Sequence, residues 1–129
     1  MSDKKVIRTE AAPAPFQGAP YNQAIASGGF VFISGQLGMT PDAPTLPEGI
    51  VAQTTNVLAN LRAILAEAGS GPEHLVKTTV FLKDLGDFAQ MNELYKAFAG
   101  DTPPARSTIQ VAKLPSDALI EIEAIARIP

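Results

Sequence analysis

The most regular stretch of the sequence is LIEIEAIARI, residues 119–128. Every second side chain in it is apolar, and these residues share one face of an extended chain: Ile120, Ile122, Ala124, Ala126 and Ile128. The opposite face mixes charged and apolar side chains: Leu119, Glu121, Glu123, Ile125 and Arg127. Because side chains alternate between the two faces of a strand, this pattern predicts a β-strand with one core-facing side.

Two helices are predicted upstream of this strand. Residues 50–68 place their apolar side chains at the spacing of one helical face, and Gly69 marks the end of that helix. The second helix begins near Asp87, which forms a capping-box pattern with Gln90, and it ends at Gly100. An apolar stripe follows this helix: Phe88, Met91, Tyr95 and Phe98. The phenylalanines as a group are assigned to the core, together with the methionines Met39 and Met91.

The remaining apolar segments are short and rich in strand-forming residues. They predict strands at residues 6–7, 22–27, 30–34, 75–83 and 107–112. Gly28-Gly29 separates the second and third of these, which indicates a hairpin because tight hairpin turns need positive φ. Residues 30–33 are apolar on both faces and therefore predict a buried central strand.

The predicted order of elements is β-β-β-α-β-α-β-β, which indicates an α+β fold with a six-stranded mixed sheet. Two helices cannot cover both faces of so wide a sheet, so both are expected to pack on one face. The other face then needs a different cover, and a second subunit is the expected one.

Length and composition narrow the class of protein. The 129 residues and 13.5 kDa predict a single domain over residues 1–129. Charged residues make up 18% and apolar residues 46%, which is more apolar surface than one small core hides and favours a homo-oligomer. The absence of cysteine excludes disulfides, thiolate metal sites and cysteine nucleophiles. The single histidine, His74, excludes any site that needs two imidazoles.

Charge and segment lengths argue against several partners. The net charge is −3 and no basic patch is present, so nucleic-acid binding is not expected. No apolar run has the length of a signal-peptide core or a membrane span, and a cytoplasmic protein without membrane contact is predicted. The sequence contains neither a metal-ligand cluster nor a glycine-rich phosphate loop, so no metal and no cofactor are expected.

Arg106 and Glu121 are the leading candidates for chemistry. Arg106 follows Pro103-Pro104-Ala105, a stiff segment from which a guanidinium can grip a carboxylate with two parallel hydrogen bonds. A surface ion pair is the alternative. Glu121 shares a strand face with Glu123, and a neighbouring charge or burial can tune a carboxylate to hold and activate water. A solvated strand face, or pairing with Arg127, is the alternative there.

Four further positions are weaker candidates. Gly35 permits close approach of backbone to a ligand, and Ser34 adds a hydrogen-bond donor, although a plain strand-end turn has the same residues. Tyr21 follows Pro20 and can cap a pocket, unless it is an interface tyrosine. Asn92 flanks the stripe of the second helix, where an amide is usually solvated.

The stretch PARSTIQVAKL at residues 104–114 is followed after five residues by Ile120-Glu121-Ile122. This pattern resembles the signature of the RidA (YjgF) family of reactive-intermediate deaminases. Three other blocks also resemble the family: APYNQA at residues 19–24, FISGQ at residues 32–36 and VKTTVFLKD at residues 76–84. The similarity extends from about Val6 to Ile128.

The resemblance implies a fold like that of trimeric chorismate mutase. Family members are homotrimers in which the sheets form a central barrel, and three active sites lie between subunits. The implied reaction is hydrolysis of 2-enamino and 2-imino acids, such as 2-aminoacrylate and 2-aminocrotonate, to 2-keto acids and ammonia. This activity protects pyridoxal-phosphate enzymes from reactive intermediates and needs neither a metal nor an organic cofactor.

The resemblance also implies roles for particular residues. Arg106 matches the residue that binds the substrate carboxylate, and Glu121 matches the residue that positions the attacking water. The remaining matches are expected to bind substrate: Tyr21, Ser34, Gly35, Asn92 and Thr108. Thr108 stands where many members have cysteine, so any role there falls to the backbone carbonyl.

Three other functions stay open at the level of sequence. The same cleft can bind 2-keto acids without catalysis, as a sensor of small carboxylates. RNA cleavage with inhibition of translation has been attributed to relatives, and the acidic composition argues against it here. A chaperone or protein-interaction role is the third.

Overall fold

The computed structural model describes residues 3–129. Its strands are β1 (Lys5–Ile7), β2 (Ala24–Ser27), β3 (Phe30–Gln36), β4 (Leu75–Leu82), β5 (Ala105–Gln110) and β6 (Ile120–Arg127). Its helices are α1 (Ile50–Glu67) and α2 (Phe88–Ala99), and single 3₁₀ turns lie at Pro72–His74, Leu85–Asp87 and Pro115–Asp117. The predicted order of strands and helices is therefore confirmed.

All six strands form one mixed sheet in the order β1-β2-β3-β6-β4-β5. The last strand of the chain, β6, lies between β3 and β4 and pairs antiparallel with both. Strands β4 and β5 are parallel, and α2 makes the crossover that parallel neighbours require. This topology places the two candidate strands, β5 and β6, on either side of β4.

Both helices pack on the same face of the sheet, as predicted. The core-facing residues of β6 are all buried: Ile120, Ile122, Ala124 and Ala126. They join one apolar cluster with the inner side of α1 and with Met91 and Tyr95 of α2. Neither helix has the length and apolar content needed to cross a lipid bilayer.

Strand β3 differs from its prediction. Val31 and Ile33 are buried, but Phe32 is 46% exposed and Phe30 36% exposed. The strand is central in the sheet, yet only one of its faces meets the helices, and Phe32 pairs with Ile125 on the open face. The prediction of a strand buried on both faces was wrong for the single chain.

Two of the three predicted helix-end signals are confirmed, because α1 ends before Gly69 and α2 ends at Gly100. At the end of α1, Gly69 N–H donates to Ala66 O and Ser70 N–H donates to Leu65 O. This pair of hydrogen bonds is typical of a helix that ends at a glycine. The capping box at Asp87 was wrong, because the Asp87 side chain caps nothing in the structure. The 3₁₀ turn at Leu85–Asp87 comes directly before α2, and its cap is Asp84, whose Oδ1 accepts a hydrogen bond from Gly86 N.

Candidate functional site

A cleft of about 510 Å³ opens where the pairing of β3 with β6 is interrupted. The register shifts between Ile33 and Gln36, so Ser34 and Gly35 bulge away from β6. Four of the predicted site residues line this cleft: Tyr21, Ser34, Gly35 and Glu121. The rest of the wall is largely apolar: Pro13, Ala14, Pro15, Phe16, Leu37, Met39 and Pro115. The structure therefore brings these four candidates together.

The buried Gln23 side chain holds the N-terminal wall of the cleft. Its Oε1 accepts from Thr9 N at 2.8 Å, and its Nε2 donates to Thr9 O at 3.0 Å and to Pro13 O at 2.9 Å. One amide thus replaces the strand pairing that the proline-rich segment cannot make. Sequence reasoning missed Gln23, which stands beside Asn22 at the start of the strand predicted over residues 22–27 and gives no distinct signal there.

Two amides on α1 fix the other walls. Asn60 Nδ2 donates to Leu37 O at 3.0 Å and to Met39 O at 2.8 Å, which holds the segment after β3. Gln53 Oε1 accepts from Leu119 N at 2.9 Å, immediately before the strand that carries Glu121. Helix α1 therefore positions both the apolar wall of the cleft and the start of β6, the strand that carries Glu121.

The hydroxyls of Tyr21 and Ser34 are each engaged on one side. Tyr21 Oη accepts from Phe16 N at 3.0 Å, so its own O–H remains available as a donor. Ser34 Oγ donates to Asn22 O at 2.6 Å, so its hydroxyl offers acceptor lone pairs to the cleft. Ser34 was predicted as a donor, and its hydroxyl hydrogen is instead used within the chain.

Glu121 is half-buried and, among residues 3–129, makes no hydrogen bond or ion pair. Burial raises the pKa of its carboxyl group, and the negative charge of Glu123 raises that pKa further. The sequence predicted both causes of the raised Glu121 pKa, and burial is the larger of the two. A carboxylate in this state has its lone pairs free to orient a water molecule and a raised basicity with which to accept its proton.

Gly35 is required by the position of Glu121. A methyl group added at Gly35 would overlap the Glu121 carboxyl group, with Cδ only 2.7 Å away. The backbone of the bulge and the carboxylate therefore lie against each other, and a ligand in the cleft can meet both.

We expect Gly35→Ala to fold but to lose most turnover, because the added methyl displaces the Glu121 carboxylate. Displacements of about 1 Å can lower rates about 10²-fold. The matched control is Gly71→Ala, whose methyl carbon would lie 2.9 Å from Cδ of the exposed Glu73 carboxyl group, away from this cleft. Steady-state kinetics with thermal melting measures both variants, and equal turnover in the two would contradict this role of Gly35.

A second cleft, of about 520 Å³, holds Arg106 and Asn92. It lies between α2 and the segment that leads into β5, and Tyr95, Lys96 and Pro104 also line it. The Arg106 Cζ lies 4.7 Å from the Tyr95 ring centroid and 5.4 Å from that of Phe88. Within the described part of the chain, no carboxylate forms an ion pair with Arg106, so the surface-ion-pair alternative does not apply.

Thr108 follows Arg106 on the same face of β5. Its side-chain oxygen is buried and has no hydrogen-bond partner among the residues that the structure describes. The hydroxyl itself, and not only the backbone carbonyl, is therefore left with unused bonding capacity beside Arg106.

The two clefts lie on opposite faces of the sheet. Arg106 is the register partner of Thr78, which is buried under the helices. Glu121 is the register partner of Phe81, three residues further along β4 and therefore on the opposite, open face. The two predicted catalytic residues are not brought together within one chain.

The aromatic contacts of Arg106 were missed from the sequence. Phe88 and Tyr95 were predicted as members of one apolar stripe, and Phe88 was assigned to the core with the other phenylalanines. Tyr95 is buried. Phe88 is 38% exposed, and its ring faces the guanidinium. The available signal was the seven-residue spacing of the two rings, which places them on one side of α2 two turns apart.

Comparison with known proteins identifies the family. The family model described as endoribonuclease L-PSP matches residues 9–128. The crystal structure of RidA from an Antarctic Psychrobacter superposes with a TM-score of 0.91 at 43% identity, covering 96% of this chain and 99% of that one. The chain belongs to the RidA (YjgF) family. The RidA resemblance carried by residues 104–122 is thereby confirmed, and so is the α+β sheet with two helices.

Two further RidA-family relatives bear on function. Reactive Intermediate Deaminase A of the chloroplast, from Arabidopsis thaliana, is 46% identical over 124 residues, which are 95% of this chain and 65% of the relative. The crystal structure of E. coli TdcF, solved with bound serine, superposes with a TM-score of 0.90 at 42% identity, covering 95% of this chain and 98% of that one. Within residues 3–129 of the present chain, no group of three or more acidic or histidine residues is placed to hold a metal ion.

Proposed function

We propose that the protein hydrolyses 2-imino acids and their 2-enamino tautomers to 2-keto acids and ammonia, and so protects pyridoxal-phosphate enzymes from these intermediates. The observation that carries the proposal is the half-buried, unpartnered Glu121 carboxylate in a cleft with Tyr21 and Ser34. The deaminase name of the Arabidopsis relative supports the same reaction.

The reaction requires a base and a carboxylate anchor. Glu121 takes a proton from water as the water oxygen bonds to C2 of the iminium, and the π pair of the C=N bond moves to nitrogen, giving a carbinolamine. Glu121 then returns the proton to the amino group, and the C–N bond breaks with its electron pair on nitrogen, which releases ammonia. The hydroxyl proton passes to the Glu121 carboxylate as the keto group forms, and it leaves with the ammonia as ammonium. Arg106 holds the substrate carboxylate through two N–H donors. An iminium carbon is already electrophilic, so orientation and a base suffice.

The proposed site is formed by two chains. Arg106 with Asn92 and Thr108 faces the helix side of β5, whereas Glu121 with Tyr21, Ser34 and Gly35 faces the opposite side of the sheet. A second copy that covers the open face, with its exposed Phe32, can supply the missing half. In a closed homotrimer with three identical interfaces, every chain contributes to complete sites with its two neighbours.

The reaction is tested by generating imines in situ. An amino-acid oxidase supplies imines from several amino acids, and semicarbazide traps the imine that escapes hydrolysis. We expect the protein to lower the semicarbazone signal and to raise the rate of 2-keto acid release. An unchanged signal with every imine would overturn the proposed reaction and leave the sensor function as the better candidate.

We predict that a mixture of Arg106→Ala and Glu121→Gln chains regains activity that neither variant has alone. If each site takes Arg106 from one chain and Glu121 from the next, random co-assembly restores about one quarter of the sites. Co-expression followed by turnover assays measures this, and light scattering should give three times the 13.5 kDa chain mass. Mixed oligomers without recovered activity, or a monomer mass, would exclude the two-chain site.

We predict that Glu123→Gln shifts the acidic limb of the pH–rate profile to lower pH. The Glu123 charge raises the pKa of Glu121, so its removal lowers that pKa and keeps the base ionised in more acidic solution. The shift is partial because burial, the larger cause, remains. The profile of kcat/KM against pH measures it, with Glu67→Gln at the exposed end of α1 as the control for net charge. A limb that stays in place would show that Glu121 is not the titrating base.

A further inference from the structure

The Arg106 side chain is held by aromatic rings rather than by acids. Tyr95 and Phe88 lie two helical turns apart on α2, and the guanidinium carbon is within 5.4 Å of both ring centroids. Distances below about 6 Å are those of a cation–π contact. Ring contacts of this kind engage the face of a guanidinium and leave the N–H donors at its edge free.

One of the two rings is itself anchored to the strand beside Arg106. Tyr95 Oη and Thr78 Oγ1 share a hydrogen bond of 2.6 Å, and both residues are buried. Thr78 is also the register partner of Arg106 in the β4–β5 pairing. Arg106, its strand neighbour and its ring partner thus form a closed loop of contacts. Burial raises the pKa of Tyr95, which keeps the phenol protonated and able to donate.

Phe88 and Tyr95 together form what we call the aromatic seat of Arg106, and this contact differs electrostatically from a salt bridge. A neighbouring carboxylate would orient Arg106 equally well, but it would occupy the donors and cancel the charge needed for an anionic substrate. Phe88 and Tyr95 are neutral, so the full positive charge stays available. Phe88 is partly exposed, and Tyr95 and Arg106 both line the second cleft, so the two rings hold Arg106 beside that cleft and not inside the core.

We propose that Phe88 and Tyr95 are positioning residues that hold the Arg106 guanidinium for the carboxylate of an incoming 2-imino or 2-keto acid, with the Thr78 hydroxyl fixing the Tyr95 ring. The inference rests on the proposed function for the identity of the ligand. The orientation of Arg106 by the two rings does not depend on it.

The decisive variant is Phe88→Leu, which removes one ring at a partly exposed site and leaves the core intact. We expect the KM for imine and the Kd for 2-oxobutanoate to rise about 2- to 30-fold, the range of one cation–π contact, with a much smaller change in kcat. Phe88→Tyr restores the ring face and should restore both constants. A role in packing alone would move thermal stability without this split between KM and kcat.

The Thr78 anchor is tested by the double variant Thr78→Val with Tyr95→Phe. Both partners of the hydrogen bond are removed together, so no buried polar group is left without a partner. The ring stays in place but can reorient, and we expect a rise in Kd smaller than that of Phe88→Leu. An unchanged Kd in this folded double variant would remove Thr78 from the proposal.

Side-chain NMR separates this proposal from the reaction itself. The chain has four arginines, Arg8, Arg62, Arg106 and Arg127, so the Nε–H signals are few and Arg106→Lys assigns one of them. We expect a ring-current-shifted Arg106 signal that moves toward the solvent-exposed position in Phe88→Leu, while the Arg62 signal over Phe98 stays unchanged. If the Arg106 signal is ring-current-shifted but the protein does not turn over imines, the proposed hydrolysis is rejected and the positioning of Arg106 by the two rings is retained. If turnover, KM and the Arg106 signal are all unchanged in Phe88→Leu, the positioning role of the two rings is rejected and the proposed hydrolysis is retained.

Discussion

Glu121→Gln should lower the turnover of 2-imino acids by about 10²–10⁴-fold, the usual contribution of a positioned general base. Glutamine has nearly the same shape, and the flanking Ile120 and Ile122 carry the core packing, so the fold is retained. An amide can hold water but cannot accept its proton. Binding of a 2-keto acid should persist, and it should strengthen where the lost negative charge had repelled the ligand carboxylate.

The comparison that makes this result specific is Glu123→Gln. It makes the same chemical change two residues away, on an exposed side chain of the same strand face. Calorimetry for 2-oxobutanoate and the semicarbazide assay measure both variants. Turnover in Glu121→Gln within about threefold of the unmodified protein, below the smallest general-base effects, would show that Glu121 does not activate water.

Arg106→Lys should lower kcat/KM for imines by about 10- to 10²-fold although the positive charge is retained. The loss corresponds to one charge-assisted hydrogen bond, about 1.5–3 kcal/mol. Lysine is a point donor that cannot present two parallel N–H groups to a carboxylate, and it lacks the flat face that lies on Tyr95. Binding of 2-keto acids should weaken with catalysis, which distinguishes this variant from Glu121→Gln.

Arg62 supplies a matched control for the arginine variant. Its guanidinium carbon also lies over an aromatic ring, 5.2 Å from the Phe98 centroid, but it is outside both clefts described above. Arg62→Lys therefore makes the same change in a similar contact and should leave kcat/KM unchanged. Equal losses in the two variants would indicate a general effect of arginine replacement on stability.

The regular elements were predictable because local pattern and global packing agree in them. The alternation over residues 119–128 is the burial pattern of β6, and the period of residues 50–68 is that of α1. Residues 30–33 were less informative because an apolar face is the same in a sequence whether it meets helices or another chain. The cap at Asp84 rather than Asp87 depends on a 3₁₀ turn that has no periodic signal.

The site was predictable as a set of residues but not as an arrangement. Tyr21, Ser34, Gly35 and Glu121 share a cleft, whereas Arg106 and Asn92 share another. The alternation in residues 119–128 placed Glu121 on the face away from the core, but residues 105–110 have no such apolar alternation. The face that Arg106 takes therefore follows only from the pairing of β5 with β4. The rings around Arg106 were hidden because an apolar helical stripe has the same pattern whether it packs a core or faces a cation.

The unpartnered carboxylate of Glu121 also affects the folding equilibrium. Its pKa is higher in the folded chain than in an unfolded one, so the folded state takes up a proton more readily. The associated stabilisation is fully present below the ordinary glutamate range and is lost as pH rises through the raised pKa. Near neutral pH the ionised Glu121 therefore leaves the folded chain less stable than a neutral side chain of the same shape would.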